Sequence, residues 1–358
     1  MTTSRISSFV LGALCLVCLE PGVAQARNIG DVHVLATVPT PPGSPEGIAV
    51  EDQRVYVAGP AKFGTIISGQ PSGVVAFDRF TGQLARTYTT QGENILAEHA
   101  NSCIAFDASD RLYVLNTQLG LYRVDVATGT QENYSTPFPN LPACSLLQAA
   151  PCSPTLVDLP PLPNDLAFAP SGDAYVTDAM QATIWRVPAG GGQPQIWFQD
   201  TRFASPYVGV NGLRLDPTRT KIYVSVTTDM LGGGYIYTLP LVAQPKATDL
   251  KVFHKFAVGD APDGFAFGAS GKLYVTVALP TSSGIVILWP DGTEETRLVN
   301  ALLSPTVPYD SPANVAFNGS GSLLVTNHAF ATNLPSHYTV LDVFVGDNAS
   351  PLVEPSLP

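Results

Sequence analysis

Six copies of one short segment recur along this chain at intervals of roughly fifty residues, a period typical of radial repeats such as propeller blades. The copies read Pro45-Glu46-Gly47-Ile48-Ala49-Val50, Asn101-Ser102-Cys103-Ile104-Ala105-Phe106, Pro163-Asn164-Asp165-Leu166-Ala167-Phe168, Val210-Asn211-Gly212-Leu213-Arg214-Leu215, Pro262-Asp263-Gly264-Phe265-Ala266-Phe267 and Ala313-Asn314-Val315-Ala316-Phe317. Each carries a carboxylate or an amide side chain at its first or second position and continues into a largely apolar run. Four continue through a Gly- or Ser-containing turn into Leu/Ala-Tyr-Val or Leu-Leu-Val. One such unit cannot bury its own apolar faces; a closed ring of them can, each against its neighbours.

The spacing inside the third copy sets the template. Asp165 to Ala169 reads as a strand, Pro170 to Asp173 as a turn, and Ala174 to Asp178, Thr183 to Val187 and Gln195 to Phe198 as three further strands. That is a four-stranded antiparallel meander, the unit of a propeller blade. No long stretch places apolar residues at the i, i+3, i+4, i+7 spacing of a helix. Glycine (31 residues) and proline (32 residues) are spread along the chain, as short strands joined by tight turns require. The sixth copy lacks an outer strand, and His33 to Val38 can supply it and close the ring, removing exposed sheet edges. The expected fold is all-β, a six-bladed β-propeller of four-stranded antiparallel blades, in one domain over residues 27–358.

Residues 1–26 read as an export signal: Arg5, an apolar run from Phe9 to Leu19, and an Ala24-Gln25-Ala26 cleavage site, so the mature chain begins at Arg27. The expected location is extracellular, or periplasmic in a bacterium. No mature segment is long and apolar enough to span a bilayer. Three cysteines remain, which allow three pairings. Cys144 and Cys152 flank a short loop and are the best pair, and Cys103 in a strand reads as a buried thiol. Asn133, Asn318 and Asn348 open glycosylation sequons, usable in a eukaryotic host. A net charge of −11 without a basic cluster argues against nucleic acid as a partner. A small molecule, apolar in character, is the expected partner of a monomeric chain.

The marked residues open the innermost strands, and six inner strands surround a central channel. Glu46, Asn164, Asn211 and Asp263 then offer two carboxylates and two amide oxygens at one mouth of it. Hard oxygen donors with two negative charges suit Ca2+, with another divalent cation as the alternative; zinc would call for His and Cys. Any one of these residues alone is a common turn former. The joint pattern points to an ion, because Gly or Ser would serve a turn equally well and Glu serves it poorly.

Other residues fall on the same face by the same template. Asn101 and Asn314 open the two remaining inner strands. His99 and His328 are candidate proton acceptors, and Asp165 beside Asn164 is a candidate base, although a strand-start turn aspartate is the plainer reading. Phe63, Met180, Met230 and Phe330 lie in connections between second and third strands and read as an apolar pocket wall. The segment 135–163 is longer than its counterparts, rich in Pro, Leu and Ala, and placed to act as a lid or as an inert insertion.

Pro-Glu-Gly at Glu46, Pro-Asn-Asp-Leu-Ala-Phe at Asn164, Val-Asn-Gly-Leu at Asn211 and Pro-Asp-Gly-Phe-Ala-Phe at Asp263 together resemble the SMP-30/gluconolactonase/LRE-like superfamily. The resemblance implies a six-bladed propeller with a divalent ion held by Glu46, Asn164, Asn211 and Asp263. It further implies hydrolysis of lactones, esters or phosphotriesters, with water or the Asp263 carboxylate attacking a polarised carbonyl or phosphoryl group. The sugar-lactone members use a pocket arginine, and none is evident near Asn101. Relatives that condense or cyclise leave a biosynthetic cyclase or lyase as the alternative, and a non-catalytic binding propeller as another.

Overall fold

The computed structural model describes residues 26–61, 69–144, 150–279 and 282–358. Six four-stranded antiparallel sheets follow one another around a ring. Their inner strands are Ile48–Glu51, Asn101–Phe106, Pro163–Phe168, Val210–Leu215, Pro262–Phe267 and Pro312–Phe317. The sixth sheet is completed by the N-terminal strand Val32–Thr37, which pairs antiparallel with Thr339–Phe344. The first and last strands among the described residues thus share one blade, as the missing outer strand of the sixth copy led one to expect. Among the described residues there is no α-helix, only three single-turn 3-10 segments.

Burial explains the composition of the strands. Leu273–Val277 and Gly284–Leu288 are buried at every position, because each middle strand is covered by a neighbouring blade on both faces. The core is accordingly divided into six apolar wedges, each lying between adjacent blades. In the wedge between blades three and four, Tyr175, Ile184 and Trp197 meet Leu213, Val224 and Tyr237. Tyr175 and Trp197 pack edge to face at 4.8 Å, a preferred geometry for aromatic pairs.

One irregularity is repeated around the channel. In blade three Pro163 faces Asp178 and Leu166 faces Val176, so three residue steps on the inner strand span two on its partner. Blades two, four, five and six repeat the shift between Asn101 and Ile104, Val210 and Leu213, Pro262 and Phe265, and Pro312 and Val315. Such a bulge inserts one extra residue and re-aims side chains locally. It brings the second and third residues of each copy to the channel end of the strand and leaves a backbone N–H without its ladder partner.

A hydroxyl on the second strand satisfies that N–H and ties the ring together. Ser225 Oγ accepts from Gly212 N (2.7 Å) and donates to the carbonyl of Asp263 in the next blade (2.8 Å). Thr326 Oγ1 accepts from Asn314 N (3.0 Å) and donates to the carbonyl of Glu46 (2.6 Å). Thr177 Oγ1 links Asp165 N to the Asn211 carbonyl in the same way. The backbone of each of these candidate ligands is therefore fixed by the preceding blade.

Candidate metal centre

The bulge register divides the six copies into two layers of the channel. Glu46, Ser102, Asn164, Asn211, Asp263 and Ala313 occupy the second position; Gly47, Cys103, Asp165, Gly212, Gly264 and Asn314 occupy the third. Glu46, Asn164 and Asn211 are buried, and Asp263 is half-buried. Burial pushes the Glu46 carboxyl well above its usual range, and the nearby charges of Asp263 and Asp165 push it further. The Asp263 carboxyl is raised likewise, first by burial and then by Asp165, with partial relief from a hydrogen bond to Asn211 and from the Gly264 N–H. Two carboxyls whose ionisation is opposed by burial and by neighbouring negative charge mark a place where a cation would remove the conflict.

Asn211 adds a second sign. Its Nδ2 donates to Thr227 Oγ1 at 2.8 Å, and its Oδ1 is a buried acceptor with no hydrogen-bond partner. Buried polar atoms rarely remain so without an ion or water to satisfy them. The donor set of two carboxylates and two amide oxygens fits a hard divalent cation such as calcium. Among the described residues no three His, Cys, Asp or Glu side chains gather in a metal-binding cluster; here half of the donors are amides.

The layer beneath holds a residue that the repeats conceal. Five copies have Ala at their fifth position, and the fourth has Arg214. Its guanidinium crosses the channel, bridging both Asp165 oxygens (2.7 Å each) and donating to Asn314 Oδ1 (3.0 Å). Burial works against its charge, but the Asp165 carboxylate outweighs that, and Arg214 remains a cation. The pairing commits Asp165, which also accepts from Leu213 N and Leu166 N and has no exposed surface. Asp165 is thus an anchor for Arg214, not a free base. The one sequence signal for Arg214 was its departure from alanine in an otherwise uniform column.

Two of the six marked residues do not occupy the ligand layer. Asn101 falls one position early. Its amide lies inside blade two, donating to Thr90 Oγ1 and Tyr122 OH and accepting from Asn116. Asn314 falls one position late and belongs to the Arg214 layer. The expectation that both line a substrate pocket is corrected accordingly for Asn101, whose polar atoms are satisfied within its own blade and against Thr90. His99 is also corrected. It is fully buried, with Nδ1 against Ala97 O (2.8 Å) and Nε2 against Gln70 O (2.7 Å), so neither ring nitrogen is left to take a proton from substrate.

His328 is buried, with Nε2 3.1 Å from Ala61 O and its ring stacked on Phe330. Phe330 and Met230 are exposed and Met180 is half-buried, all in connections between second and third strands on the channel-mouth face. Phe63 lies outside the described residues. On this face the sequence reading also missed a buried Asp310 whose Oδ2 accepts from His337 Nδ1 at 2.8 Å and from Thr332. No spacing pattern in the chain announces that pair.

The insertion is tethered at its base. Cys144 and Cys152 form the disulfide that the loop length favoured, and Cys103 is free and buried. Gln181 of blade three reaches into the segment, accepting from Leu141 N and donating to Pro139 O, while Ser153 Oγ donates to the Gln181 carbonyl.

The sequence model of the SMP-30/gluconolactonase/LRE-like region matches residues 81–329, and the chain belongs to that family. Among solved structures it is similar to a calcium-binding regucalcin from Agrobacterium tumefaciens (18% identity, 88% of this chain and 93% of that one, TM-score 0.59). A gluconolactonase from Xanthomonas campestris is similar at 18% identity (88% and 89% coverage, TM-score 0.57). Virginiamycin B lyase from Staphylococcus aureus shares the fold at 13% identity (88% and 99% coverage, TM-score 0.53). No curated protein matches the chain in sequence.

Proposed function

We propose that this chain is an exported, calcium-dependent hydrolase of lactones, esters or phosphotriesters. The observation that carries the reading is the Glu46–Asp263 carboxyl pair beside the unpartnered Asn211 Oδ1, next to a layer whose cation, Arg214, is already held by Asp165. Membership of a family that includes gluconolactonases supports the hydrolase class. Glu46, Asn164, Asn211 and Asp263 would hold the ion. A divalent cation bound there supplies Lewis-acid polarisation of a carbonyl or phosphoryl oxygen.

The chain's own residues do the rest. The blade-to-blade hydroxyl links fix the backbones of Glu46, Asn211 and Asp263, so the ring is preorganised before substrate arrives. Asp263 is the carboxylate assigned to the reacting centre, as nucleophile or as the acceptor of the proton from attacking water. Arg214 and Asp165 close the channel beneath and keep that layer electrically balanced. His328, Met180, Met230 and Phe330 border the mouth and favour an apolar substrate. A panel of lactones, aryl esters and phosphotriesters, assayed in calcium and again in excess chelator, tests the reading. Turnover that chelator abolishes and calcium restores is expected. Absence of turnover in calcium, with tight binding of an apolar polycycle, would replace it with the cyclase or lyase alternative.

A further inference from the structure

The most exposed apolar side chains of this protein are not scattered. Among the described residues, five large apolar side chains are more than three-quarters exposed: Leu156, Leu231, Val258, Leu302 and Leu303. Leu156, Val258, Leu302 and Leu303 lie in connections from an outer strand to the next inner strand, and Leu231 in a connection from a second to a third strand. In an antiparallel blade both kinds of connection fall on the channel-mouth face. Phe330 at 72% joins them there. Isolated exposed apolar residues are ordinary, but their concentration on one face marks an interaction surface.

Two further observations identify the occupant. These six side chains project from five separate connections, and each keeps at least 72% of its surface exposed, so they do not pack together into one shaped groove. A rigid partner needs shape complementarity; a fluid apolar phase moulds to separate protrusions. The charge pattern narrows it again. In the loops of this face the only described Lys or Arg is Arg202, paired with Asp200 at 2.6 Å, whereas most of the cations lie on the opposite face or the outer strands. Among the described residues, these loops therefore offer no unpaired cation to attract an anionic surface. The half-buried Asp229 accepts from the N–H groups of Leu231 and Gly233 and so shapes the loop that presents Leu231.

We propose that the channel-mouth face docks on a neutral or zwitterionic lipid surface, inserting these loop-tip side chains around the entrance. The proposal rests on the candidate site only for its direction: docking would feed the channel with lipid-soluble substrate. Binding is read without turnover, so its failure and a failure of the hydrolase reading are distinguishable.

The test is co-sedimentation of the mature protein with phosphatidylcholine vesicles, repeated at high salt and with phosphatidylserine added. Association with phosphatidylcholine that survives high salt and does not grow with phosphatidylserine is expected. Replacing Leu231, Leu302 and Leu303 together by Ser should lower partitioning by roughly tenfold or more per leucine, while the melting temperature stays unchanged. A wild-type protein that remains in the supernatant, or a triple variant that sediments equally, overturns the proposal. Concentration-dependent dimerisation that the triple variant abolishes, without vesicle binding, would also overturn it by making a second copy the occupant.

Discussion

Replacing Arg214 by Met tests whether the layer beneath the candidate ion is structural. The substitution keeps most of the side-chain length but removes the charge that faces Asp165, whose carboxylate has no exposed surface. Removing one partner of a buried ion pair strands the other and costs about 3–5 kcal/mol. Unfolding entropy of about 2.1 cal/mol/K per residue gives roughly 0.7 kcal/mol/K for a propeller of about 330 residues. The melting temperature should therefore fall by about 4–7 °C, measured by circular dichroism in excess calcium. Pairing Arg214→Met with Asp165→Asn should recover most of that loss, because neither charge is then left alone. The same argument separates anchor from base: Asp165→Asn alone should lower stability along with activity. A melting temperature within about 1 °C of wild type for Arg214→Met, or an Asp165→Asn protein of full stability and no turnover, would refute this account.

Other consequences are checked more briefly. Glu46 and Asp263 have folded-state pKa values raised above their ordinary range. A raised pKa favours the folded state below the ordinary carboxyl range, and that contribution is lost as pH rises through the raised values. Chelator-stripped protein should thus lose stability as pH climbs above the ordinary carboxyl range, and the gain on adding calcium should grow over the same window; thermal melts with and without calcium measure both. Gly212→Ala should destabilise by about 1–3 kcal/mol, since a Cβ there would lie 2.5 Å from the Asp263 carbonyl oxygen and 3.1 Å from Gly264 Cα; denaturant melts read the loss. Burial and the Asp165 charge raise the Cys103 thiol, so it should resist a thiol reagent until the protein unfolds, as timed labelling in native buffer and in denaturant will show.

The blades were legible because each copy of the repeat carries its own turn and apolar runs. Even the closing strand could be found from the missing outer strand of blade six. The layer structure of the channel was not. A bulge lets two consecutive residues reach the channel end, so Asn101 and Asn314 looked equivalent to Asn164 while lying one position to either side of it. Sequence spacing has no access to that register, which depends on where the second strand's hydroxyl captures the freed N–H. Arg214 escaped for a related reason: its partners Asp165 and Asn314 are 49 and 100 residues away and belong to different blades. His99 was misread because its backbone acceptors, unlike side-chain partners, leave no signature in the residue types.

Calcium titration of chelator-stripped protein by isothermal calorimetry puts the central claim to its most direct test. One site per chain is predicted, with binding lost in Asp263→Asn and in Glu46→Gln while both variants stay folded. Absence of binding in the stripped wild type, or an unchanged isotherm in either variant, would contradict a cation held by these four side chains.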